Sequence, residues 1–125
     1  MRSLLFVPGD SPSKLAKALT SGADALLIDL EDSVALTAKA AARETTRAFL
    51  AEHVPTYARP RLYVRLNGLT TGLIDADLDA VMQGAPDGVM LPKAEGGQDI
   101  AHLSDKLAVR VAENDLPGGA PGILA

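Results

Sequence analysis

The chain alternates short continuous apolar runs with longer stretches in which apolar residues recur at helical spacing. The runs are short and are ended by turn residues such as Pro8-Gly9, which is typical of buried strands in a parallel sheet. We predict strands over Ser3 to Val7, Ala25 to Leu30, Leu62 to Leu66 and Val89 to Leu91, with a fifth strand opening at about Gly122.

Four helices are predicted between these strands. The first has Ser11 as its N-cap, Pro12 at the first helical position and Gly22 as its C-terminal stop. The second runs from about Thr37 to His53, the third ends near Gly84, and the fourth ends before residue 115. The apolar faces of the four helices are Leu15, Ala18 and Leu19; Ala38, Ala41, Ala42, Thr45 and Phe49; Ile74, Leu78, Val81 and Met82; and Ile100, Leu103, Leu107 and Val111.

Strands that alternate with helices indicate an α/β fold with a parallel sheet. Two architectures fit this pattern: an open doubly wound sheet, or the first half of a (β/α)₈ barrel. A complete barrel needs about 250 residues, and the chain has 125. No linker or low-complexity segment divides the chain, so residues 1–125 are predicted to form a single domain.

Composition narrows the class of function. Twelve basic residues against 16 acidic ones give a net charge of −4, which argues against a nucleic-acid partner. The absence of Cys removes disulfides and thiolate nucleophiles and fits a reducing compartment. No apolar run approaches the roughly 18 residues that span a bilayer, and the first run is too short for a signal peptide. We therefore expect a cytoplasmic protein with no membrane partner.

Charged residues follow three of the predicted strands, at the carboxyl ends where function lies in parallel α/β folds. The second strand ends in three carboxylates, those of Asp29, Glu31 and Asp32. Carboxylates this close raise one another's pKa unless a cation lies among them. The candidate cations are Arg65, Lys93, a divalent metal or a combination, and oxygen ligands favour Mg²⁺ over Zn²⁺.

Arg65 lies at the end of the third strand. Strand alternation places Tyr63, Arg65 and Asn67 on one face of the sheet. A guanidinium inside a sheet needs a carboxylate partner or an anionic ligand, because an unpaired buried charge is costly. Arg65 therefore either clamps a substrate carboxylate or carbonyl oxygen, or forms an internal ion pair with Glu31 or Asp32.

The remaining candidates carry less chemistry. Lys93 is either a Schiff-base nucleophile, a salt-bridge partner of the second-strand carboxylates, or a solvated residue. The segment Pro8-Gly9-Asp10-Ser11 lacks the glycine spacing of a phosphate loop, although its backbone amides at a helix start can hold an anion. His53 and His102 fall on predicted helices, away from the strand ends, and are predicted to be surface or packing residues.

Five blocks follow one another along the chain: Arg2 to Gly9 (RSLLFVPG), Asp29 to Val34 (DLEDSV), Lys39 with Ala42-Arg43, Val64 to Asn67 (VRLN), and Leu91 to Lys93 (LPK). Together they resemble the HpcH/HpaI aldolase/citrate lyase family and span nearly the whole chain up to residue 93. Within that family the blocks are most similar to the branch that holds the citrate lyase beta subunit (citryl-CoA lyase) and the malyl-CoA lyases.

The resemblance implies that residues 1–125 form the N-terminal half of a (β/α)₈ TIM barrel, with four βα units and the start of a fifth strand. It implies a Mg²⁺-dependent carbon–carbon lyase, which cleaves a (3S)-hydroxyacyl-CoA-type thioester into an acyl thioester and a 2-oxo acid. The family's two direct metal ligands fall after Ala125. No metal ligand is therefore assigned within the chain, and residues 1–125 alone are expected to be inactive.

The resemblance also implies residue roles and partners. The implied catalytic residues are Arg65, Glu31 and Asp32, and the implied substrate-binding residues are Arg65, Asn67, Lys93, Pro8 and Gly9. The implied partners are a CoA-thioester substrate, copies of the chain in a homo-oligomer (a trimer or hexamer), and other citrate lyase subunits. Two alternatives stay open: a metal-dependent aldolase of free 2-oxo acids without CoA, and a non-catalytic half-barrel binding module whose sheet edges favour self-association.

Overall fold

The computed structural model describes residues 3–53, 60–92, 96–114 and 121–124. Strands and helices alternate along the chain as the sequence predicts. The elements are β1 (Leu4–Pro8), α1 (Pro12–Leu19), β2 (Ala25–Asp29), α2 (Lys39–Glu52), β3 (Arg61–Arg65), α3 (Ile74–Val81), β4 (Gly88–Met90), α4 (Gly97–Asn114) and β5 (Gly122–Leu124), with short 3₁₀ turns at Leu36–Ala38 and Met82–Gly84.

The five strands form one parallel sheet whose spatial order, β1-β2-β3-β4-β5, is the order of the sequence. A doubly wound sheet reverses its strand order at a switch point, whereas a barrel adds each strand beside the one before it. The sequential order therefore selects the half-barrel from the two architectures that the periodicity left open.

The two faces of the sheet differ as the two sides of a barrel wall do. Alternate strand residues such as Leu26, Ile28 and Val64 pack with residues from all four helices in one continuous core. The opposite face carries a smaller cluster, formed by Ala25, Leu27 and Tyr63 with Met90 and Leu124 packed against it. Because the helices cover only one face, the other face is the inner surface of the barrel wall.

The helices agree with the sequence predictions except for the buried face of α2. The Ser11 hydroxyl accepts a hydrogen bond from the Lys14 amide at 3.4 Å, and Pro12 follows it, so the predicted N-cap of α1 is confirmed. On α2 the buried residues are Ala42, Thr46, Phe49 and Leu50, and the predicted Ala41 is exposed. The buried face is rotated towards Thr46 and Leu50, and the Thr46 hydroxyl donates to the Gly9 carbonyl at 3.3 Å.

Helix α4 is the longest helix in the described ranges, and its buried residues are Leu103 and Leu107. The other two residues of its predicted apolar face, Ile100 and Val111, are partly buried against the same core, as is usual for a helix with one face on a sheet. No helix among the described residues is both long enough and apolar enough to cross a membrane.

Close packing of the inner face gives a stability prediction. A Cβ added at Gly88 would lie 2.5 Å from the Tyr63 ring and 2.9 Å from the Gly122 carbonyl oxygen. We expect Gly88→Ala to lower the free energy of unfolding by about 1–3 kcal/mol, because a β-strand backbone cannot move away from a neighbouring strand. Urea unfolding measures the change.

Gly97→Ala is the matched control, since no described atom lies within 4 Å of a Cβ there and Gly97 is helical. Alanine favours a helix over glycine, so this control should be neutral or slightly stabilising. Equal losses in the two variants would argue against tight packing between Gly88 and Tyr63.

Candidate functional site

The strand register places two charged residues, Asp29 and Arg65, next to each other at the carboxyl end of the sheet. Pro8 lies opposite Asp29, Asp29 lies opposite Arg65, and Arg65 lies opposite Met90 in the parallel pairing. Opposed residues on neighbouring strands point to the same face. Asp29 and Arg65 are therefore side by side on the inner face, at the edge where barrel active sites are built.

Asp29 and Arg65 form a two-pronged ion pair. Nε of Arg65 donates to Oδ1 of Asp29 at 2.8 Å, and Nη2 donates to Oδ2 at 2.8 Å. The Asp29 side chain is 3% exposed and that of Arg65 is 21% exposed. The closest carboxylate to Arg65 is thus Asp29, which the sequence prediction did not name as its partner. The predicted partner Glu31 forms a second, longer ion pair with Arg65.

Asp29 accepts two further hydrogen bonds from the loop that follows its own strand. The Glu31 amide donates to Oδ1 at 2.8 Å, and the Ser33 amide donates to Oδ2 at 2.9 Å. A carboxylate has about four lone-pair positions, and four donors occupy them. Asp29 consequently has no free position for a metal ion or for a substrate proton.

The protonation of Asp29 follows from these contacts. Burial by itself would raise the pKa of Asp29, but the hydrogen bonds from Arg65, Ser33 and Glu31 outweigh it and hold the pKa well below its usual range. The same pair raises the pKa of Arg65, with burial opposing it. Both groups are charged throughout the physiological range.

The rest of the Arg65 guanidinium is arranged around this pair. Glu31 approaches Nε, with Oε1 at 3.7 Å, and the Phe6 ring centroid lies 5.5 Å from Cζ. Asp32 is exposed and forms no ion pair with Arg65 in the described structure. Among the described residues nothing hydrogen-bonds Nη1, so the Nη1 side of the guanidinium is the side available to a ligand.

The loop that carries Glu31 and Asp32 is held from a second direction. Lys39, at the start of α2, donates through Nζ to the Leu30 and Glu31 carbonyl oxygens, both at 2.8 Å. Asp29 holds the amides of the loop and Lys39 holds its carbonyls. The structure therefore brings the three predicted catalytic residues, Arg65, Glu31 and Asp32, to one place.

Pro8 and Gly9 border this cluster. The Gly9 amide donates to the Asp29 carbonyl at 2.8 Å, and a Cβ at Gly9 would lie 2.8 Å from the Thr46 hydroxyl. Gly9 is required for this close packing. Because the Gly9 amide is engaged and proline has no N–H, neither Pro8 nor Gly9 offers a backbone amide to an anion. Anion binding by the other amides of the segment and substrate contact by Pro8 and Gly9 stay predictions.

Asn67 belongs to a separate buried network. Its backbone amide and its side-chain Nδ2 both donate to Oδ2 of Asp77 at 2.8 Å, and Asn67 is 2% exposed. Nε of Arg43 donates to Oδ1 of the same Asp77 at 2.7 Å. Asn67 is thus tied to α3 and α2 and is not joined to the Arg65 cluster, so its role in substrate binding stays a prediction.

Lys93 lies outside the described residues. Within the described ranges no group of three or more His, Asp or Glu side chains is placed to hold a metal ion. Asp29 is saturated, which leaves Glu31 and Asp32 as the nearby carboxylates. These two residues do not form a complete Mg²⁺ site, although their oxygens suit that ion.

The larger of two cavities lies away from the charged residues at the strand ends. A groove of about 690 Å³ lies between α1 and α2 on the outer surface, away from the strand ends. A smaller cleft of about 310 Å³ opens at the strand ends beside Glu31. Its other lining residues are Gly68, Leu69, Thr70, Thr71, Leu91, Pro92 and Asp99.

The lowered pKa of Asp29 gives a pH prediction. Its contribution to stability is present above the unfolded-state pKa of about 3.9 and is lost as pH falls towards the lower native pKa. We expect wild type to be more stable than Asp29→Asn at about pH 7, and the gap to narrow below about pH 4. Urea midpoints across this range measure the gap, and a gap of constant size would show that Asp29 is not an ionised partner of Arg65.

The buried Asp77 gives a second stability prediction. Asp77→Ala leaves the charge of Arg43, whose side chain is 16% exposed, without its partner, and we expect a loss of about 3–5 kcal/mol of unfolding free energy. Asp75→Ala is the control on the same helix, because Asp75 is 59% exposed in its ion pair with Lys106; it should cost no more than about 1 kcal/mol. Similar losses would mean that Asp77 stabilises the fold no more than a surface charge does.

The sequence has known relatives along almost its whole length. The family model HpcH/HpaI aldolase/citrate lyase matches residues 2–116. The citrate lyase subunit beta of Escherichia coli (strain K12) is 39% identical over 125 residues, which cover 99% of this chain and 40% of that protein. The mitochondrial citramalyl-CoA lyase of Rattus norvegicus is 33% identical over 112 residues, covering 88% of this chain and 32% of that protein.

Solved structures agree with both the fold and the family. CitE from Mycobacterium tuberculosis in complex with magnesium, acetoacetate and coenzyme A has a TM-score of 0.67 and 34% identity, covering 96% of this chain and 46% of that one. The citrate lyase beta subunit from M. tuberculosis with oxaloacetate and magnesium also has a TM-score of 0.67 and 34% identity, with 96% and 55% covered. These neighbours confirm the TIM-barrel type of fold.

The chain spans about 40% of the length of the E. coli relative. The relatives named here are lyases, and magnesium is bound in both structures. With a family model over residues 2–116 and the same barrel topology, the chain belongs to the HpcH/HpaI aldolase/citrate lyase family.

Proposed function

We propose that the protein containing this chain is a Mg²⁺-dependent carbon–carbon lyase of the citryl-CoA/malyl-CoA lyase type. It cleaves a (3S)-hydroxyacyl-CoA-type thioester into an acyl thioester and a 2-oxo acid. The observation that carries the proposal is the Arg65 guanidinium, which is held rigidly by Asp29 at the carboxyl end of the sheet with its Nη1 side unbonded among the described residues.

The reaction places negative charge where Arg65 is able to stabilise it. The substrate hydroxyl loses its proton, the carbon–carbon bond breaks, and the bonding electron pair moves into the thioester, which becomes an enolate. The former hydroxyl carbon becomes the oxo carbon of the 2-oxo acid, and a proton added to the enolate carbon gives the acyl thioester. A guanidinium binds the carboxylate and oxo oxygen of a 2-oxo acid as a planar fork.

The neighbouring carboxylates supply the complementary chemistry. We assign Glu31 and Asp32 as catalytic residues, because they lie on the loop beside Arg65 and Glu31 approaches its Nε at 3.7 Å. Carboxylates at this position orient the substrate hydroxyl and exchange protons with it. Magnesium, when bound, stabilises charge on oxygen, and no ligand to it is assigned among the described residues.

The comparisons support the substrate class. The CitE structure of M. tuberculosis contains coenzyme A, and the related beta subunit structure contains oxaloacetate, a 2-oxo acid. We carry these two ligand classes to this protein as its acyl thioester and its 2-oxo acid. Lys93, Asn67, Pro8 and Gly9 are proposed to contact the substrate around Arg65.

The proposal also covers the cellular location and the assembly of the protein. We propose a cytoplasmic homo-oligomer, a trimer or hexamer, that also associates with other citrate lyase subunits. Phe6 on the inner sheet face is 55% exposed, and this face is covered either by the remaining barrel strands or by a second copy of the chain. An apolar side chain of this size gains free energy when it is covered.

The assay for the reaction separates lyase from competing chemistries. The protein containing this chain is incubated with Mg²⁺ and, in turn, citryl-CoA, (3S)-malyl-CoA and (3S)-citramalyl-CoA, and both 2-oxo acid and free CoA thiol are measured. A lyase releases 2-oxo acid while the thiol stays acylated, whereas thioester hydrolysis releases free thiol. An aldolase acts on free 2-oxo acids without CoA, and a binding module gives no product.

Replacement of Arg65 tests the central assignment. Arg65→Lys keeps the charge but removes the planar fork. We expect kcat/KM to fall by about 10²–10³-fold, the effect of losing one donor to a developing oxyanion. Steady-state release of 2-oxo acid measures the fall.

Arg61→Lys is the matched control, because Arg61 begins the same strand, β3, and is exposed at its opposite end. The control should keep wild-type kinetics. An Arg65→Lys enzyme that also keeps wild-type kcat/KM removes Arg65 from the proposed mechanism.

A further inference from the structure

We infer that Asp29 is the positioning residue of the site: it sets the orientation of Arg65 and the path of the Glu31–Asp32 loop through one carboxylate. This inference rests on the proposed function. Asp29 itself does not touch the substrate, because its oxygens are fully occupied and its side chain is 3% exposed. It acts through the residues that it holds.

The orientation of Arg65 follows from which of its N–H groups Asp29 uses. A guanidinium has five N–H bonds in one rigid plane. Asp29 takes the Nε–H and one Nη2–H, both at 2.8 Å. The plane is thereby fixed, and two of the three remaining N–H bonds, one on Nη1 and one on Nη2, lie on the Nη1–Nη2 edge. That edge is a second fork, which matches two oxygens of a 2-oxo acid.

The same carboxylate determines the position of the catalytic loop. The Glu31 amide binds the oxygen that receives Nε, and the Ser33 amide binds the oxygen that receives Nη2. Glu31 and Arg65 consequently share one anchor, although they come from different strands. Lys39, the first residue of α2, donates to two carbonyl oxygens of the same loop. The loop is thus attached to Asp29 on one side and to α2 on the other, so a movement of Asp29 shifts the loop relative to α2.

Replacement of Asp29 by Asn tests this role. Asparagine keeps the shape, but its amide nitrogen faces N–H donors where an oxygen accepted before. We expect kcat to fall by about 100-fold, the scale of a misplacement of about 1 Å in a catalytic group. Inhibition by the 2-oxo acid product should weaken, while inhibition by the acyl-CoA product stays at its wild-type strength, because only the 2-oxo acid meets Arg65.

A double variant shows whether Asp29 acts through Arg65. If it does, Asp29→Asn combined with Arg65→Lys loses little more activity than Arg65→Lys alone, because the orientation of a lost fork no longer matters. Losses that multiply would overturn the claim that Asp29 acts through Arg65.

Asp87→Asn is the structural control. Asp87 accepts a hydrogen bond from the Leu62 amide at 2.8 Å at the amino end of the sheet, the end that serves stability in barrels. This variant should lose stability without separating the two product inhibitions. If Asp29→Asn shows the same kinetic pattern as Asp87→Asn, Asp29 is a fold residue only and the inference fails.

Amide hydrogen exchange decides the inference independently of activity. In Asp29→Asn, the Glu31 and Ser33 amides should exchange at least about tenfold faster than in wild type, as expected when a hydrogen bond that limits local opening is lost. In Asp87→Asn their exchange should not change. A wild-type protein that cleaves none of the thioesters refutes the proposed function, whereas unchanged exchange of these amides in Asp29→Asn refutes the positioning role.

Discussion

The buried ion pair between Asp29 and Arg65 is the interaction on which the rest of the site depends. Each partner would be costly to bury alone, and two hydrogen bonds of 2.8 Å join them. Asp29 also accepts hydrogen bonds from the Glu31 and Ser33 amides. The pair therefore connects the ends of β2 and β3 with the loop that follows β2. In this proposal, Asp29 sets the positions of Arg65 and of the Glu31–Asp32 loop but does not contact the substrate.

The fold provides this pair through register and through the one-sided placement of the helices. In-register parallel pairing puts Asp29 opposite Arg65, and strand alternation turns both to the face that the helices leave uncovered. The apolar residues that precede them on the two strands, Ile28 and Val64, face the helix core. Burial of the outer face thus determines which charged residues meet on the inner face.

Much of the site was predictable from local patterns, and the missing part is tertiary. Alternation along β3 predicted that Arg65 shares a face with Tyr63, opposite the apolar Leu62 and Val64, and the run of acidic residues predicted carboxylates beside it. The choice among Asp29, Glu31 and Asp32 depends on inter-strand register, which no local pattern encodes. The engagement of Asn67 by Asp77 was missed for the same reason, since the two residues meet only when α3 packs on the sheet.

The Asp29–Arg65 pair is observed most directly in ¹⁵N–¹H correlation spectra of the Arg65 side-chain nitrogens in the protein containing this chain. We expect separate Nη1 and Nη2 signals, because the bidentate pair with Asp29 slows rotation of the guanidinium. Addition of oxaloacetate with Mg²⁺ should shift the Nη1 signal and leave the Nε signal in place. A single averaged Nη signal, or a ligand that shifts Nε and leaves Nη1 unchanged, would contradict this expectation.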